Sequence, residues 1–114
     1  METYLKISVS GTMESMEDMA DFAELLDRLS EEYGLYRALL DETRLRKHLD
    51  VLDAYRLAEA DISTRAAAKG VRMACLPSPQ GAEFARNMET ILHNRSVSYR
   101  VFSDPDEAVA WLTR

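Results

Sequence analysis

The sequence predicts an α/β fold: a single domain over residues 1–114, with a mostly parallel sheet of four or five strands and about four helices. Three observations lead to this prediction. Segments with the apolar spacing of strands alternate with segments that have the spacing of helices, and such alternation favours a parallel sheet with right-handed crossovers. The length of 114 residues suits one domain. Its 46% hydrophobic and 30% charged residues are typical of a globular protein.

The first two predicted elements are an edge strand and an amphipathic helix. Residues 4–10 alternate apolar and polar side chains, as a strand with one covered face does, and Gly11 with Thr12 is expected to end it. Ser15 is the predicted N-cap of the helix, and Gly34 is its predicted left-handed C-cap. Between the caps, apolar residues recur at helical spacing: Met19, Phe22, Ala23, Leu26, Leu29 and Tyr33.

The middle of the chain is predicted to contain a buried strand and a long helix. Residues 35–40 form an almost continuous apolar run, which favours a central strand covered on both faces. Residues 42–49 are mostly polar and are expected to form a connection. A helix is then predicted from about residue 52 to residue 68, with Asp50 or Asp53 as its cap.

The next strand and helix are predicted around a proline-rich turn. Residues 71–76 read as a second buried strand. Ser78 is expected to cap the following helix and Pro79 to occupy its first position, because proline lacks the amide that is unpaired there. The apolar stripe of this helix consists of Phe84, Met88, Ile91 and Leu92.

The end of the chain is predicted to be a strand followed by a short anchoring helix. Val101 and Phe102 are expected to end the strand, and Asp104 to cap the helix, with Pro105 in its first turn. A helix this short is stable only when it packs against something. Trp111 is therefore expected to lie on the sheet as the anchor.

Charge and hydropathy exclude two classes of partner. The chain has 14 Lys and Arg against 20 Asp and Glu, a net charge of −6, which opposes binding to nucleic acid. Its apolar runs are too short for a membrane span, and the N-terminus lacks the basic flank and apolar block of a secretory signal. The sequence therefore predicts a cytoplasmic protein.

The charges are also unevenly distributed. Residues 14–32 contain eight acids and one base, whereas residues 44–48 are mostly basic. One interpretation is a solvated acidic helix face and a solvated basic loop. The other is a basic lip that meets an anion or an acidic partner.

The sequence contains no recognisable catalytic, metal or cofactor motif. Cys75 is the only cysteine, so it forms no internal disulfide, and its apolar setting predicts a buried structural residue. His48 and His93 lack the partners of a nucleophilic triad and the spacing of metal ligands. No glycine-rich phosphate loop is present. We therefore predict no catalytic residue, no metal and no cofactor.

A ligand site is nevertheless predicted where the strands end. Ligands of open α/β sheets bind beyond the carboxyl ends of the strands, next to the N-termini of helices. Arg44 is expected to bind a carboxylate or phosphate, with Asp41 orienting it. The alternative is that Asp41 and Ser78 only cap and that Arg44 is solvated. The candidate residues for binding a small anionic or apolar ligand are Asp41, Thr43, Arg44, Ser78, Gln80 and Gly81.

The closing segment YRVFSDPDEAVAWL, residues 99–112, resembles the end of the SpoIIAA-like or STAS-like small bacterial domains. Further segments agree with this resemblance: Gly11–Met13 with Glu17–Asp18, Leu39–Glu42, Val71–Ala74 and Phe84–Met88. The resemblance implies a SpoIIAA-like fold and a non-enzymatic module for protein interaction or small-ligand binding, with a homodimer or another protein as partner. Met13, Met16 and Met19 are a hypothetical oligomer contact.

One departure from that family concerns phosphorylation. The anti-sigma-factor antagonists carry a phosphoacceptor serine in a motif like Asp-Ser-Ser-Gly, and this chain has Asp41-Glu-Thr-Arg44 in that region. Thr43 is the only hydroxyl there. The alternative function is thus a phosphorylatable switch or a minor enzyme that uses Asp41, Thr43 and Arg44.

Overall fold

The computed structural model describes residues 3–114, which form a four-stranded sheet and five helices. The strands are β1 (Leu5–Met13), β2 (Arg37–Lys47), β3 (Arg72–Pro77) and β4 (Ser98–Val101). The helices are α1 (Met16–Tyr33), α2 (Val51–Glu59), α3 (Asp61–Ala68), α4 (Ala82–His93) and α5 (Pro105–Thr113). The predicted α/β class is confirmed.

All neighbouring strands of the sheet are parallel, in the order β1-β2-β3-β4. The prediction that the first strand lies at an edge is confirmed, and so is the central place of β2. Since each parallel pair needs a crossover, α1 connects β1 to β2, α2 with α3 connects β2 to β3, and α4 connects β3 to β4.

The two faces of the sheet carry separate hydrophobic clusters. Leu40 and Cys75 point to the face that packs against α1, α2, α3 and α4, which we call the four-helix face. Leu39 and Ala74 point to the opposite face, which packs against α5 and which we call the α5 face. Successive strand residues alternate between faces, so each central strand contributes to both clusters.

Two strands are longer than predicted. β1 continues through Gly11 and Thr12, and β2 continues through the residues expected to form a polar connection. The pairing of the two strands shifts between Ser8 and Ser10, so that β2 contains one extra residue there, a β-bulge. Leu45 beyond the bulge is buried again and holds the extension on the core. Leu45 lies between Arg44 and Arg46, so the sequence pattern did not predict a strand at this position.

The predicted helix over residues 52–68 is two helices, α2 and α3. Ala60 between them has an extended backbone, with φ −73° and ψ 156°. The Leu57 carbonyl accepts a hydrogen bond from the Ala60 amide at 3.1 Å and from the Ser63 hydroxyl at 2.9 Å. These bonds replace the hydrogen bond that the Asp61 amide would donate to the Leu57 carbonyl in a continuous helix. The Ser63 hydroxyl thus competes with the backbone for this carbonyl, and such competition disfavours a helix.

The fourth helix begins later than predicted. α4 starts at Ala82 with Gly81 as its N-cap and no side-chain capping bond, so Ser78 and Pro79 lie in the preceding turn. The Ser78 hydroxyl accepts from the Gly81 amide at 3.0 Å and thereby closes that turn. The prediction that Pro79 is the first helical residue is wrong, because the turn takes up these residues.

The other predicted caps are confirmed. The Ser15 hydroxyl accepts from the Asp18 amide at 3.2 Å, and Gly34 has the left-handed φ of 63°. Asp50 caps α2 in a reciprocal pair with Asp53. Local hydrogen-bonding capacity and glycine's tolerance of positive φ account for these ends.

The closing helix α5 is held on the sheet at several points. Asp104 caps it, and Pro105 is its first residue, as predicted. Trp111 is half-buried against Phe102, with ring centroids 5.7 Å apart, whereas Leu112 is the fully buried residue. Arg37 donates to the Leu112 carbonyl at 3.0 Å. A cation at the end of a helix stabilises the unpaired carbonyls there.

The acidic face of α1 is partly neutralised by α3. Asp27 lies 2.9 Å from both Arg65 and Lys69, and Arg65 also pairs with Glu24. A hydrogen bond from Lys69 lowers the pKa of Glu31, since it favours the charged carboxylate. Three of the eight acids predicted to form a solvated face, Glu24, Asp27 and Glu31, therefore pair with Arg65 and Lys69.

The methionine segment is not the exposed surface that the oligomer hypothesis requires. Met13 and Met19 are each only 7% exposed and belong to the core of the four-helix face. Met16 is half-buried. Met13 is buried at the end of β1, and Met19 is buried on the inward side of α1.

Candidate functional sites

The six predicted site residues lie in two groups. Asp41, Thr43 and Arg44 line a polar hollow of about 390 Å³ on the sheet, together with Ser8 and neighbouring β1 residues. We call this hollow the sheet-face depression. Its lining residues are Ser8, Val9, Ser10, Asp41, Thr43 and Arg44. The second group, residues 78–81, lies in the turn between β3 and α4.

Asp41 in the depression binds Thr43. One carboxylate oxygen, Oδ1, accepts from the Thr43 hydroxyl at 2.7 Å and from the Thr43 amide at 3.1 Å. These bonds lower the pKa of Asp41, because they favour its charged form. Arg44 is exposed and pairs with no acid among residues 3–114. The Asp41 carboxylate is thus held by Thr43 and not by Arg44, and the expectation that Asp41 orients Arg44 stays a prediction.

The second group completes the end of β2. Ser78 donates to the Leu45 carbonyl at 2.7 Å. The Gln80 amide group accepts from the Lys47 amide at 2.7 Å and also donates to the Lys47 carbonyl. β2 continues past the last residue of β3, so these side chains satisfy backbone groups that would otherwise lack a strand partner. The polar atoms of Ser78 and Gln80 are used inside the fold.

A second hollow lies between the sheet and the helices of the four-helix face, and we call it the core cavity. It has a volume of about 100 Å³. None of the six predicted residues lines it. Its wall is mostly apolar and consists of Met13, Met19, Phe22, Ala23, Leu26, Asp27, Ser30, Leu40, Glu42, Lys47, Leu57, Ile62, Ser63, Ala66, Val71, Met73, Met88, Leu92, Val97 and Tyr99.

The core cavity contains a buried ion pair. Lys47 Nζ lies 2.7 Å from Glu42 Oε1, and the two side chains are 6% and 4% exposed. The ammonium also lies 5.1 Å from the centre of the Phe84 ring, within the range of a cation–π contact. Glu42 Oε1 accepts no regular hydrogen bond within residues 3–114, so its partner there is the Lys47 ammonium of the ion pair. Because the ammonium lies close to this oxygen, the two buried charges compensate each other.

The sequence contains a signal for this pair. Glu42 follows Leu40 by two residues, and Lys47 follows Leu45 by two, so each continues the inward side of its strand segment. The one-residue bulge between the segments disrupts the period of two. An uninterrupted period of two cannot place both segments on one side, and this is why the charged residues were predicted to form a polar connection.

Cys75 and Tyr99 belong to the same core. Cys75 is completely buried, as predicted, and burial together with the charge of Glu42 raises the pKa of its thiol to about 12. Burial also raises the pKa of Tyr99 well above its ordinary value. Both groups therefore stay protonated at neutral pH, which is unfavourable for a nucleophile or a general base.

Residues 3–114 contain neither a cluster of metal-binding side chains nor a helix suited to span a membrane. No cluster of three or more His, Cys, Asp or Glu side chains is arranged to hold a metal ion. In the same part of the chain, no helix has both the length and the apolar character needed to cross a membrane.

Comparison with known proteins does not assign the chain to a family. It matches no protein-family model, no curated protein and no solved structure. Function must therefore be inferred from the two hollows themselves.

Proposed function

We propose that this chain is a non-enzymatic SpoIIAA-like domain that binds a small molecule in the core cavity. The observation that carries the proposal is the cavity itself, an apolar hollow with one buried ion pair in its wall. Small-molecule sites are usually concave and mostly apolar, with a few polar groups that orient the ligand. The core cavity has this composition.

Two features support the proposed family. Residues 99–112 resemble the closing segment of the SpoIIAA-like domains. The sheet has four parallel strands, and its last strand is followed by the short helix α5. Cys75 and Tyr99 stay protonated in the core, so neither is suited to act as a nucleophile or a general base. We place the protein in the cytoplasm, with a second copy of the chain or another protein as its partner. Native mass spectrometry of the purified protein reports both the subunit number and any retained small molecule.

The alternative function has less support. A phosphorylatable switch or a minor enzyme at Asp41, Thr43 and Arg44 would use the sheet-face depression, where the exposed Thr43 is next to Arg44. However, the Thr43 hydroxyl is already bound to the Asp41 carboxylate. A phosphate on Thr43 would stand beside that negative charge, and like charges at this distance repel.

Xenon binding tests the proposed cavity. Apolar cavities bind xenon, and four of the methionines line this one: Met13, Met19, Met73 and Met88. Under xenon pressure, the NMR signals of these four methyl groups, labelled with carbon-13, should shift and saturate. The signal of Met16, which does not line the cavity, should stay nearly constant.

A pair of alanine variants provides the control. Ala23 lines the cavity, and Ala20 lies on the same helix without lining it. Ala23→Leu should fill the space and abolish the xenon shifts, whereas Ala20→Leu should preserve them. If the four methyl signals of the unaltered protein do not respond to xenon, the cavity is closed to ligands and the proposed function is wrong.

A further inference from the structure

The two edges of the sheet are protected to different degrees. β4 forms one edge and has only four residues. The Val101 amide at that edge donates to the Glu89 carboxylate of α4 at 2.6 Å. β1 forms the other edge and has nine residues, with no proline and with Lys6 as the only charged one. Edge strands are usually short, charged, bulged or covered, since their unpaired backbone groups otherwise pair with another strand. β1 is therefore the edge that can accept a further strand.

The outward backbone groups of β1 belong to alternate residues. The His48 amide donates to the Met13 carbonyl at 2.9 Å, so the backbone of Met13 faces β2. The extra residue of the bulge lies in β2, so β1 keeps its alternation, and the backbone groups of every second residue from Lys6 to Ser10 face away from β2. No strand of residues 3–114 lies on that side. The left-handed φ of 100° at Gly11 ends the regular stretch at Ser10.

The side chains of β1 suit pairing with a second copy of the same strand. Leu5, Ile7 and Val9 are half-buried against the core of the four-helix face. Residues that stand opposite each other in an antiparallel pair share a face of the sheet. With a two-fold axis at Ile7, Ile7 faces its own copy, and Leu5 faces Val9 of the second copy. Lys6 then stands opposite Ser8, so the two lysines do not face each other. This register continues apolar contacts across the junction and places no like charges directly opposite within the paired strands.

Helix α1 adds apolar surface along the same edge. Glu24, Asp27 and Glu31 of α1 pair with α3, which leads to β3. The opposite side of α1 therefore lies towards the outer edge of β1, and the helical repeat places Leu25 and Leu29 on it. Leu25 is 39% exposed, and Leu29 is half-buried. These two leucines extend the apolar surface of β1 onto the helix.

We propose that two copies of this chain form a symmetric dimer, in which their β1 strands pair antiparallel about Ile7 and join the two sheets into one. Each copy supplies four strands, and the new ladder uses the outward backbone groups of β1. The partner is thus a second copy of the chain, and this inference rests on that part of the proposed function. It needs no ligand in the core cavity, so xenon binding tests the cavity separately.

A proline variant tests the pairing of β1. Ser8→Pro removes an amide that faces outward and takes no part in the sheet of one copy, and proline is tolerated at such an edge position. Ser8→Ala keeps the amide and is the matched control. Sedimentation velocity of the full chain over a range of concentrations gives the dissociation constant of the dimer. Ser8→Pro should raise this constant about ten-fold or more, since each copy loses a hydrogen bond, whereas Ser8→Ala should leave it nearly unchanged.

A pair of cysteine variants tests the register. The backbone of Ile7 faces β2, so Ile7 and its copy form a non-hydrogen-bonded pair with Cα atoms about 4.5 Å apart. This distance is within the range of a disulfide. Ile7→Cys should therefore yield a disulfide-linked dimer when the protein is oxidised with diamide, as read from its mass under non-reducing denaturing conditions. Val9→Cys lies on the same face but opposite Leu5, so it should not cross-link. The unaltered protein, whose only cysteine is the buried Cys75, gives the background.

The outcomes decide this inference independently of the cavity. A monomer in the sedimentation of the unaltered protein, or a dimer that Ser8→Pro does not weaken, would overturn it. If Ser8→Pro does not fold, the cysteine variants decide the question. Cross-linking of Ile7→Cys but not of Val9→Cys supports the inference, whereas equal cross-linking of the two, or none in either, overturns it. Methionine signals that do not respond to xenon would instead disprove the cavity and leave the dimer.

Discussion

The two faces of the sheet are covered in different ways. On the α5 face, Leu39 and Ala74 meet Ala108 and Leu112, and all four are at most 4% exposed. On the four-helix face, the helices enclose an ion pair and a cavity of about 100 Å³. The α5 face is covered by ordinary apolar packing, whereas the four-helix face also contains buried charges and a cavity.

The difference indicates where function is to be sought. Apolar residues of similar volume are often as stable as a buried ion pair, or more stable, because the pair loses its hydration. The side chains that line a cavity also lose packing contacts on that side. The α5 face therefore serves as an anchor, whereas the four-helix face combines two features that stability alone does not explain.

The largest expected effect comes from breaking the ion pair. Lys47→Met leaves Glu42 as an uncompensated buried carboxylate, and loss of one partner of such a pair typically lowers the free energy of unfolding by about 3–5 kcal/mol. Urea denaturation measures the change. The double variant Glu42→Leu with Lys47→Leu should instead lie within about 1 kcal/mol of the unaltered protein or be more stable. If the two variants lost the same free energy of unfolding, the loss in Lys47→Met would not come from the uncompensated charge of Glu42.

The next effect separates the two faces. Leu112→Ala opens the fully buried contact of α5 and should lower the free energy of unfolding by about 2–5 kcal/mol, as measured by urea denaturation. Val109→Ala, at a half-buried position of the same helix, should have a smaller effect. In both variants xenon should still shift the four lining methionine signals at native conditions. Loss of those shifts in Leu112→Ala would mean that the faces are not independent.

The smallest effect concerns the sheet-face depression. Thr43→Val removes the hydroxyl bond to Asp41, so the pKa of Asp41 should rise towards its ordinary value. A lowered carboxyl pKa stabilises the fold above the pKa of the unfolded chain, and this stabilisation is lost as the pH falls through the folded pKa. The variant should therefore lose up to about 1 kcal/mol at neutral pH and less in acid.

Carboxyl-carbon NMR titration of Asp41, with urea denaturation at neutral and acidic pH, measures both quantities. A Thr43→Ser variant, which keeps a hydroxyl, is the matched control and should keep the lowered pKa. An unchanged Asp41 pKa in Thr43→Val would assign the shift to the Thr43 amide and to the charges of Lys6 and Arg44.

Local patterns were sufficient to predict much of this fold. The alternation of strands and helices and the caps at Ser15, Gly34, Asp50 and Asp104 all depend on residues close together in the chain. A hydroxyl or carboxylate that caps a helix binds an amide two or three residues away, so this bond does not depend on distant parts of the chain. The same applies to the burial of Cys75, since four of its neighbours along the chain are apolar or small.

Other features depend on contacts between distant segments. β2 extends to Lys47 because β1 pairs with it. The bulge that turns Leu45 and Lys47 to the same side as Glu42 exists only within that pairing. Gln80 was predicted at a ligand site, but it binds the backbone of β2, which is 33 residues away in the chain. The core cavity forms only when helices from four segments meet over the sheet. Local periodicity reports which side of a strand or helix is apolar, whereas the space left between packed elements depends on how all their side chains fit together.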